Sequence, residues 1–311
     1  MRSVTLLGLA LAAAPTMVMA GGSLGFAIGT KHNDGSCKYT ADYEADFEVL
    51  KAHSTVVRGY DADDCNFAQQ ALPAAKSKGF QIILGIWPDT EESYSKGKNA
   101  VKTYGNQYKD QVRAVTVGSE TLYRGNFTGD ELVEMIKEVK ALVPDTKVGT
   151  ADSWHLYANG TADAVVKTAD IVLVNGFAYW QGSEISNASH VFLDDIAQAT
   201  SHIEKVLKDS NRSPDDLEIV VGETGWPTEG DAYKNTETGR VSEPGLDNAE
   251  QFWKEGICAG LLWGLDVFAF EAFDEPWKPN SVGDNGEALD ETHWGVYTAE
   301  KPAKAKWDLS C

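Results

Sequence analysis

Eight short runs of apolar, β-forming residues recur along the chain, and stretches with helical periodicity separate them. The runs are LGFAIGT (24–30), TVVRGYD (55–61), QIILGIW (81–87), VRAVTVGSE (112–120), KVGTADSW (147–154), DIVLVNGF (170–177), LEIVVGE (217–223) and DVFAFEAF (266–273). Most are continuously apolar, the pattern of strands covered on both faces in a parallel sheet clothed by helices. Between them, Leu132, Ile136, Val139 and Val143 share one helical face, and in the segment 192–208 Ile196, Ile203, Val206 and Leu207 do the same. Eight β-α units predict an α/β chain folded as a (β/α)8 TIM barrel. A doubly wound open sheet is the rival, but its first strand runs into a glycine-rich phosphate turn. Here that turn reads AIGTKHNDG, which lacks the pattern. No repeat or low-complexity linker divides the rest, so residues 21–311 read as one domain. The polar, turn-rich stretch 229–245 reads as a long loop after the seventh strand.

The first 20 residues belong to a different category. Arg2 precedes an apolar stretch of leader length, and Val18-Met19-Ala20 supplies the small residues of a cleavage site, so residues 1–20 are expected to be a secretory signal peptide. No later segment has the apolar length of a membrane span, and the C-terminal AKWDLSC has no hydrophobic tail for a lipid anchor. Four cysteines suit two disulfides in an oxidising compartment, with three pairings open. The strand layout favours Cys37–Cys65, on neighbouring loops after the first two strands, and Cys258–Cys311, where the C-terminus returns to the helix after strand seven. Sequons at Asn126, Asn159, Asn187 and Asn211 are candidate glycosylation sites. A formal charge of −20 excludes nucleic acid and anionic membrane as partners, since both require basic surface, and is compatible with an uncharged substrate. The expected product is secreted, unanchored and monomeric.

In a barrel of this kind chemistry sits where strands end and βα loops begin. Read in order, those ends carry Tyr60 and Asp61, Trp87, Glu120, Trp154, Tyr179 and Trp180, Glu223 and Trp226, then Glu271, Asp274, Glu275 and Trp277. Five of the nine tryptophans fall there, more than packing alone would select, and flat aromatic rings suit the faces of sugars. Glu120 ends the fourth strand and Glu223 the seventh, positions that face each other across a barrel mouth. A facing carboxyl pair is what glycosidic bond cleavage needs: one protonated to release the leaving oxygen, the other ionised at the anomeric carbon. Either glutamate alone could equally be a helix-start carboxylate.

At these residues the chain resembles glycoside hydrolase family 17, the β-1,3-glucanases, and most closely its fungal secreted cell-wall branch. The resemblance rests on VGSE (117–120), GETGWPT (222–228) and FEAFDEPWK (270–278) and spans essentially the whole chain after residue 20. It implies a (β/α)8 barrel and a retaining mechanism, with Glu120 as acid/base and Glu223 as nucleophile. It also implies that Glu275 and Lys278 support the site and its sugar contacts. Tyr60, Ser119, Tyr123, Trp154, Tyr179, Trp180 and Trp226 complete the expected substrate-binding set. Ser119 departs from related barrel glycosidases, which place Asn before the acid/base to bond the sugar 2-hydroxyl. Acceptor-side aromatics such as Trp180 or Tyr123 would favour transfer to a second glucan over hydrolysis, and a mildly acidic optimum is expected.

Other chemistries fit less well. The histidines (His32, His53, His155, His190, His202, His293) are scattered without a metal-ligand pattern, so no metal or cofactor is expected. No G-x-S-x-G motif marks a serine hydrolase. A non-catalytic glucan-binding wall protein is the alternative from another class, although a lectin has no use for both Glu120 and Glu223.

Overall fold

The computed structural model describes residues 21–279, 281–282, 288–304 and 308–311, so the expected leader at 1–20 lies outside the described residues. Eight strands form the barrel: β1 Leu24–Ala27, β2 Val56–Arg58, β3 Gln81–Ile86, β4 Val112–Ser119, β5 Lys147–Ser153, β6 Ile171–Asn175, β7 Glu218–Thr224 and β8 Val267–Ala269. They close in the order β1-β8-β7-β6-β5-β4-β3-β2 with every neighbouring pair parallel. The apolar runs are continuous because both strand faces are buried. Ile83, Ala114, Ala151, Ile171, Leu173, Val220 and Phe268 point inward and pack against one another. Their alternates, including Val57, Ile82, Val115, Val148, Val172, Val221 and Val267, face the helices. An eight-stranded barrel is just wide enough to be filled by such side chains, so reacting groups are left to the rim.

Register shifts near the tops of β4 and β7 decide what reaches that rim. Thr116 of β4 lies opposite Gly149 but Ser119 lies opposite Ala151, so β4 carries one extra residue. Val221 of β7 lies opposite Val174 but Glu223 lies opposite Asn175, so β7 carries one as well. A bulge of this kind re-aims the side chains that follow it. Glycine makes both possible. Gly118 has φ +79°, in the left-handed region. A Cβ on Gly222 would stand 2.7 Å from Asn175 Oδ1.

Some boundaries differ from the expected ones. β8 stops at Ala269; beyond it the backbone leaves the ladder, Glu271 N–H donating to Trp294 O and Ala272 N–H to Ala27 O, and Glu271, Ala272 and Phe273 are buried. The helix expected over 192–208 runs Ile185–Asp209, because the turn before Phe192 packs Ala188 into the same stripe. The stretch 229–245 is not wholly irregular. Tyr233–Lys234 pairs antiparallel with Val241–Ser242, and Ser242 Oγ lies 2.8 Å from both Tyr179 O and Ser183 O, fixing this hairpin to the loop after β6. Strands of two residues are too short to leave a periodic signal.

Disulfides join Cys37 to Cys65 and Cys258 to Cys311, each with Cα atoms 5.2 Å apart. The first bridges the loops after β1 and β2, and the second ties the C-terminus to the helix before β8. They close spans of 28 and 53 residues. Replacing either pair by serines costs about 2–4 kcal/mol, and the longer loop about half a kcal/mol more than the shorter. Urea unfolding midpoints of the two double variants are expected in that order.

Candidate active site

Arg58, the last residue of β2, is only 1% exposed and lies beneath the barrel mouth. Its guanidinium donates to Glu223 Oε1 at 2.8 Å, to Gly222 O at 2.9 Å and to Ser119 Oγ at 3.1 Å. It approaches Asn175 Oδ1 at 3.5 Å, and Asn175 Nδ2 in turn donates to Glu120 Oε1 at 3.0 Å. The tops of β2, β4, β6 and β7 are therefore linked in one chain, Glu223–Arg58–Asn175–Glu120. The Tyr60 ring stacks on the guanidinium at 4.9 Å, and its hydroxyl faces Glu223 without reaching hydrogen-bond geometry.

The two glutamates meet different partners. Burial pushes Glu223 up to about 7, opposed by Arg58 and reinforced by the charge of Glu120. Burial also raises Glu120, opposed by the Asn175 amide and by Arg124 and Arg58. Two carboxyls that feel each other lose their protons in two macroscopic steps, and the intermediate state holds a single proton. Arg58 bonds Glu223 directly, which favours the anion there, while the neutral amide of Asn175 lets Glu120 keep the proton. That state, one carboxylate and one acid coupled through a shared chain of partners, is what displacement at an acetal carbon requires.

Glu120 is held in an uncommon backbone conformation. Its φ is +56°, a left-handed value that costs a residue with a side chain about 1–3 kcal/mol. Its N–H donates to Ala151 O at 2.8 Å, and Arg124 donates from its own N–H to Glu120 O and from Nη2 to Ser119 O. Arg124 also lies over the Trp87 ring at 4.6 Å.

A second charged group lies after β8. Lys278 Nζ is 2.7 Å from Glu271 Oε2 and 2.9 Å from Glu275 Oε2. Glu271 and Glu275 are almost fully buried, and burial together with the neighbouring Glu275 carboxyl holds Glu271 well above the usual carboxylate range. The paired carboxylates outweigh desolvation at Lys278 and raise its ammonium. Glu275 and Lys278 thus bind each other and Glu271, while Lys278 keeps partial exposure.

The aromatic residues divide into two groups. Tyr123 is 39% exposed, and Trp154 and Trp180 are partly so, offering ring surface near the mouth. His155 stands edge-on between Tyr123 and Trp154, with Nδ1 2.9 Å from Ser153 Oγ. Tyr179 and Trp226 do not fit the substrate-binding expectation, being 2% and 4% exposed. Their rings pack edge-on at 5.0 Å, Tyr179 donates to Asp231 O, and Trp226 Nε1 donates to Glu243 O. Buried rings offer no face for a sugar; Tyr179 backs Trp180 at 4.9 Å, as Trp294 does at 5.2 Å, and Trp226 backs Tyr179. Ser119 is nearly buried and its hydroxyl accepts from Arg58, so it serves the guanidinium; the amide beside Glu120 comes from Asn175 instead.

Residues 25–295 match the model of a known family, the BtgE/BtgC glycoside hydrolase domain. The chain belongs to that family. It is 52% identical to a glucan 1,3-beta-glucosidase of Arthroderma benhamiae over 100% of this chain and 98% of that protein. A Saccharomyces cerevisiae protein of the same name is 42% identical over 95% and 93%. Among solved structures, the glycoside hydrolase family 17 β-1,3-glucanosyltransferase of Rhizomucor miehei is similar at 30% identity, with a TM-score of 0.75 covering 92% of this chain and 97% of that one. An active-site mutant of the Rhizomucor miehei β-1,3-glucanosyltransferase, solved with laminaritriose, is 29% identical, again with a TM-score of 0.75. A plant β-glucan endohydrolase, at 17% identity and a TM-score of 0.60, shares the fold alone. The family 17 membership implied by the motifs is thereby established.

Among the described residues no helix is long and apolar enough to cross a membrane, and no cluster of His, Cys, Asp and Glu could hold a metal ion. Sequence reading placed both glutamates at the mouth but passed over Arg58 and Asn175. The available signal was a polar residue at the end of an apolar run, in TVVRG and in IVLVN.

Proposed function

We propose that this protein is a retaining glycoside hydrolase and glucanosyltransferase acting on β-1,3-glucan, with Glu223 as nucleophile and Glu120 as acid/base. The observation that carries the reading is the asymmetric pairing of the two glutamates, one on a guanidinium and the other on a neutral amide. A Glu223 oxygen attacks the anomeric carbon and the glycosidic C–O bond breaks, while the Glu120 proton passes to the departing oxygen. Glu120, now a carboxylate, then takes a proton from water or from a glucan hydroxyl as that oxygen displaces Glu223. Two inversions restore the β configuration. Water gives hydrolysis, and a second glucan gives a longer chain. Tyr123, Trp154 and Trp180 are the rings assigned to sugar contacts, with Tyr123 and Trp180 on the acceptor side. Residues 1–20 act as the signal for export, and the released chain works at the cell wall as a monomer.

Reduced laminari-oligosaccharides test this reading. At high concentration the products are expected to include oligomers longer than the substrate, each with a β-1,3 linkage by NMR. Only shorter products at every concentration would remove the transferase half. A protein that releases no reducing ends, forms no longer oligomers and binds laminarin equally well as wild type and as Glu223→Gln would instead be a glucan-binding wall component.

A further inference from the structure

Asp152, at the top of β5, is fully buried and takes no part in the proton transfers described above. Its carboxylate accepts three backbone N–H groups: Leu122 at 2.9 Å on Oδ2, and Tyr123 at 3.2 Å and Ser153 at 2.9 Å on Oδ1. Two of these belong to the turn that directly follows Glu120. The preceding residue of β5, Ala151, accepts the N–H of Glu120 itself. β5 thus grips the chain on both sides of a residue whose φ is +56°. A left-handed conformation at a residue with a Cβ persists only where its surroundings over-determine it. An anion also satisfies the converging N–H groups as a neutral amide cannot, since the NH2 of an asparagine would oppose at least one of them.

We propose that Asp152 is a positioning residue for the acid/base, holding the turn at Leu122 and Tyr123 so that the Glu120 carboxyl stands at the leaving oxygen. This rests on the assignment of Glu120 as acid/base. The charged and titratable groups around Asp152 are Glu120 itself, whose charge reaches it, the buried hydroxyl of Tyr157 and, beyond them, Arg58. Burial pushes Asp152 up to about 7 while its three N–H donors hold it down.

The proposal separates two kinds of leaving group. A sugar alkoxide needs the proton of Glu120 to depart, whereas 2,4-dinitrophenolate leaves without one. Wild type, Asp152→Asn, Asp152→Ala and Glu120→Ala are compared on laminaripentaose and, by the pre-steady-state burst, on 2,4-dinitrophenyl β-laminaribioside. Asp152→Ala is expected to lose about 10²-fold in kcat/KM on laminaripentaose, within the range of general acid catalysis, and to keep a near wild-type burst on the aryl substrate. Asp152→Asn, retaining the Oδ1 acceptor, falls between, and it decides the matter if the alanine variant does not fold. Equal losses on both substrates would mean general disruption reaching Glu223 and would overturn the proposal, as would no loss on either. If Glu120→Ala discriminates between leaving groups and the Asp152 variants do not, only this inference falls. If Glu120→Ala does not discriminate, the acid/base assignment falls first.

Discussion

Replacing Glu223 by alanine is expected to lower kcat on laminari-oligosaccharides by on the order of 10⁶-fold, the scale observed when a nucleophile is removed from a set of groups acting as a unit. Three neighbouring carboxyls are already engaged. Glu271 and Glu275 are committed to Lys278, and Glu120 holds the proton for the leaving group. Substrate still docks, because the partly exposed rings of Tyr123, Trp154 and Trp180 are untouched, so KM moves far less than kcat. The decisive readout is stereochemical. With sodium azide and an activated aryl substrate, Glu223→Ala presents a vacancy on the α face, and azide entering there gives an α-glucosyl azide. Glu120→Ala still forms the glycosyl-enzyme, and azide displacing Glu223 gives the β anomer. The two variants are therefore expected to yield opposite anomers by NMR. The same anomer from both, or turnover by Glu223→Ala within tenfold of wild type, would remove the roles assigned here.

The barrel was legible in the sequence for a physical reason: strands buried on both faces admit few polar residues, so their number can be counted. Both glutamates were legible because each follows a glycine within two residues at a strand end, in VGSE and VVGE. Those glycines, Gly118 and Gly222, also marked the bulges that aim the side chains. The cysteine pairing followed from the order of the loops. What stayed hidden was set by contacts between residues distant in sequence. Arg58 and Glu223 are separated by 165 positions and Asn175 and Glu120 by 55, and nothing in either local segment names its partner. Asp152 reads as one polar residue in a mixed strand end until its three N–H donors are placed around it. The aromatic residues were recognised as a group but not resolved individually. Composition does not reveal whether a ring presents its face to solvent, as Trp180 partly does, or packs within a cluster, as Tyr179 and Trp226 do.

Replacing Arg58 is expected to cost the most among residues that never touch the reacting carbon. Removing one partner of a buried ion pair leaves an uncompensated charge, at about 3–5 kcal/mol. Here it also strips a donor from Gly222 O and from Ser119 Oγ. Glu223, already pushed up to about 7 with the guanidinium beside it, rises further in Arg58→Ala. The sign follows from the chemistry. Glu223 attacks only as an anion, and its anionic fraction falls as pH drops through its pKa, so the acid limb of the kcat/KM profile moves to higher pH in the variant. Stability moves with it. A carboxyl whose folded pKa is raised holds a proton that the unfolded chain has lost above about pH 4.3, so folding stability falls as pH rises through that window. The window is wider without Arg58, and the deficit relative to wild type is smallest near pH 4 and grows toward neutrality. Arg58→Lys restores a charge but not the planar fork that reaches Glu223, Gly222 and Ser119 together, so it recovers part of the stability and little of the rate. Thermal midpoints and pH–rate profiles of the three proteins measure both effects. An acid limb that stays in place in Arg58→Ala would show that the guanidinium does not set the ionisation of Glu223.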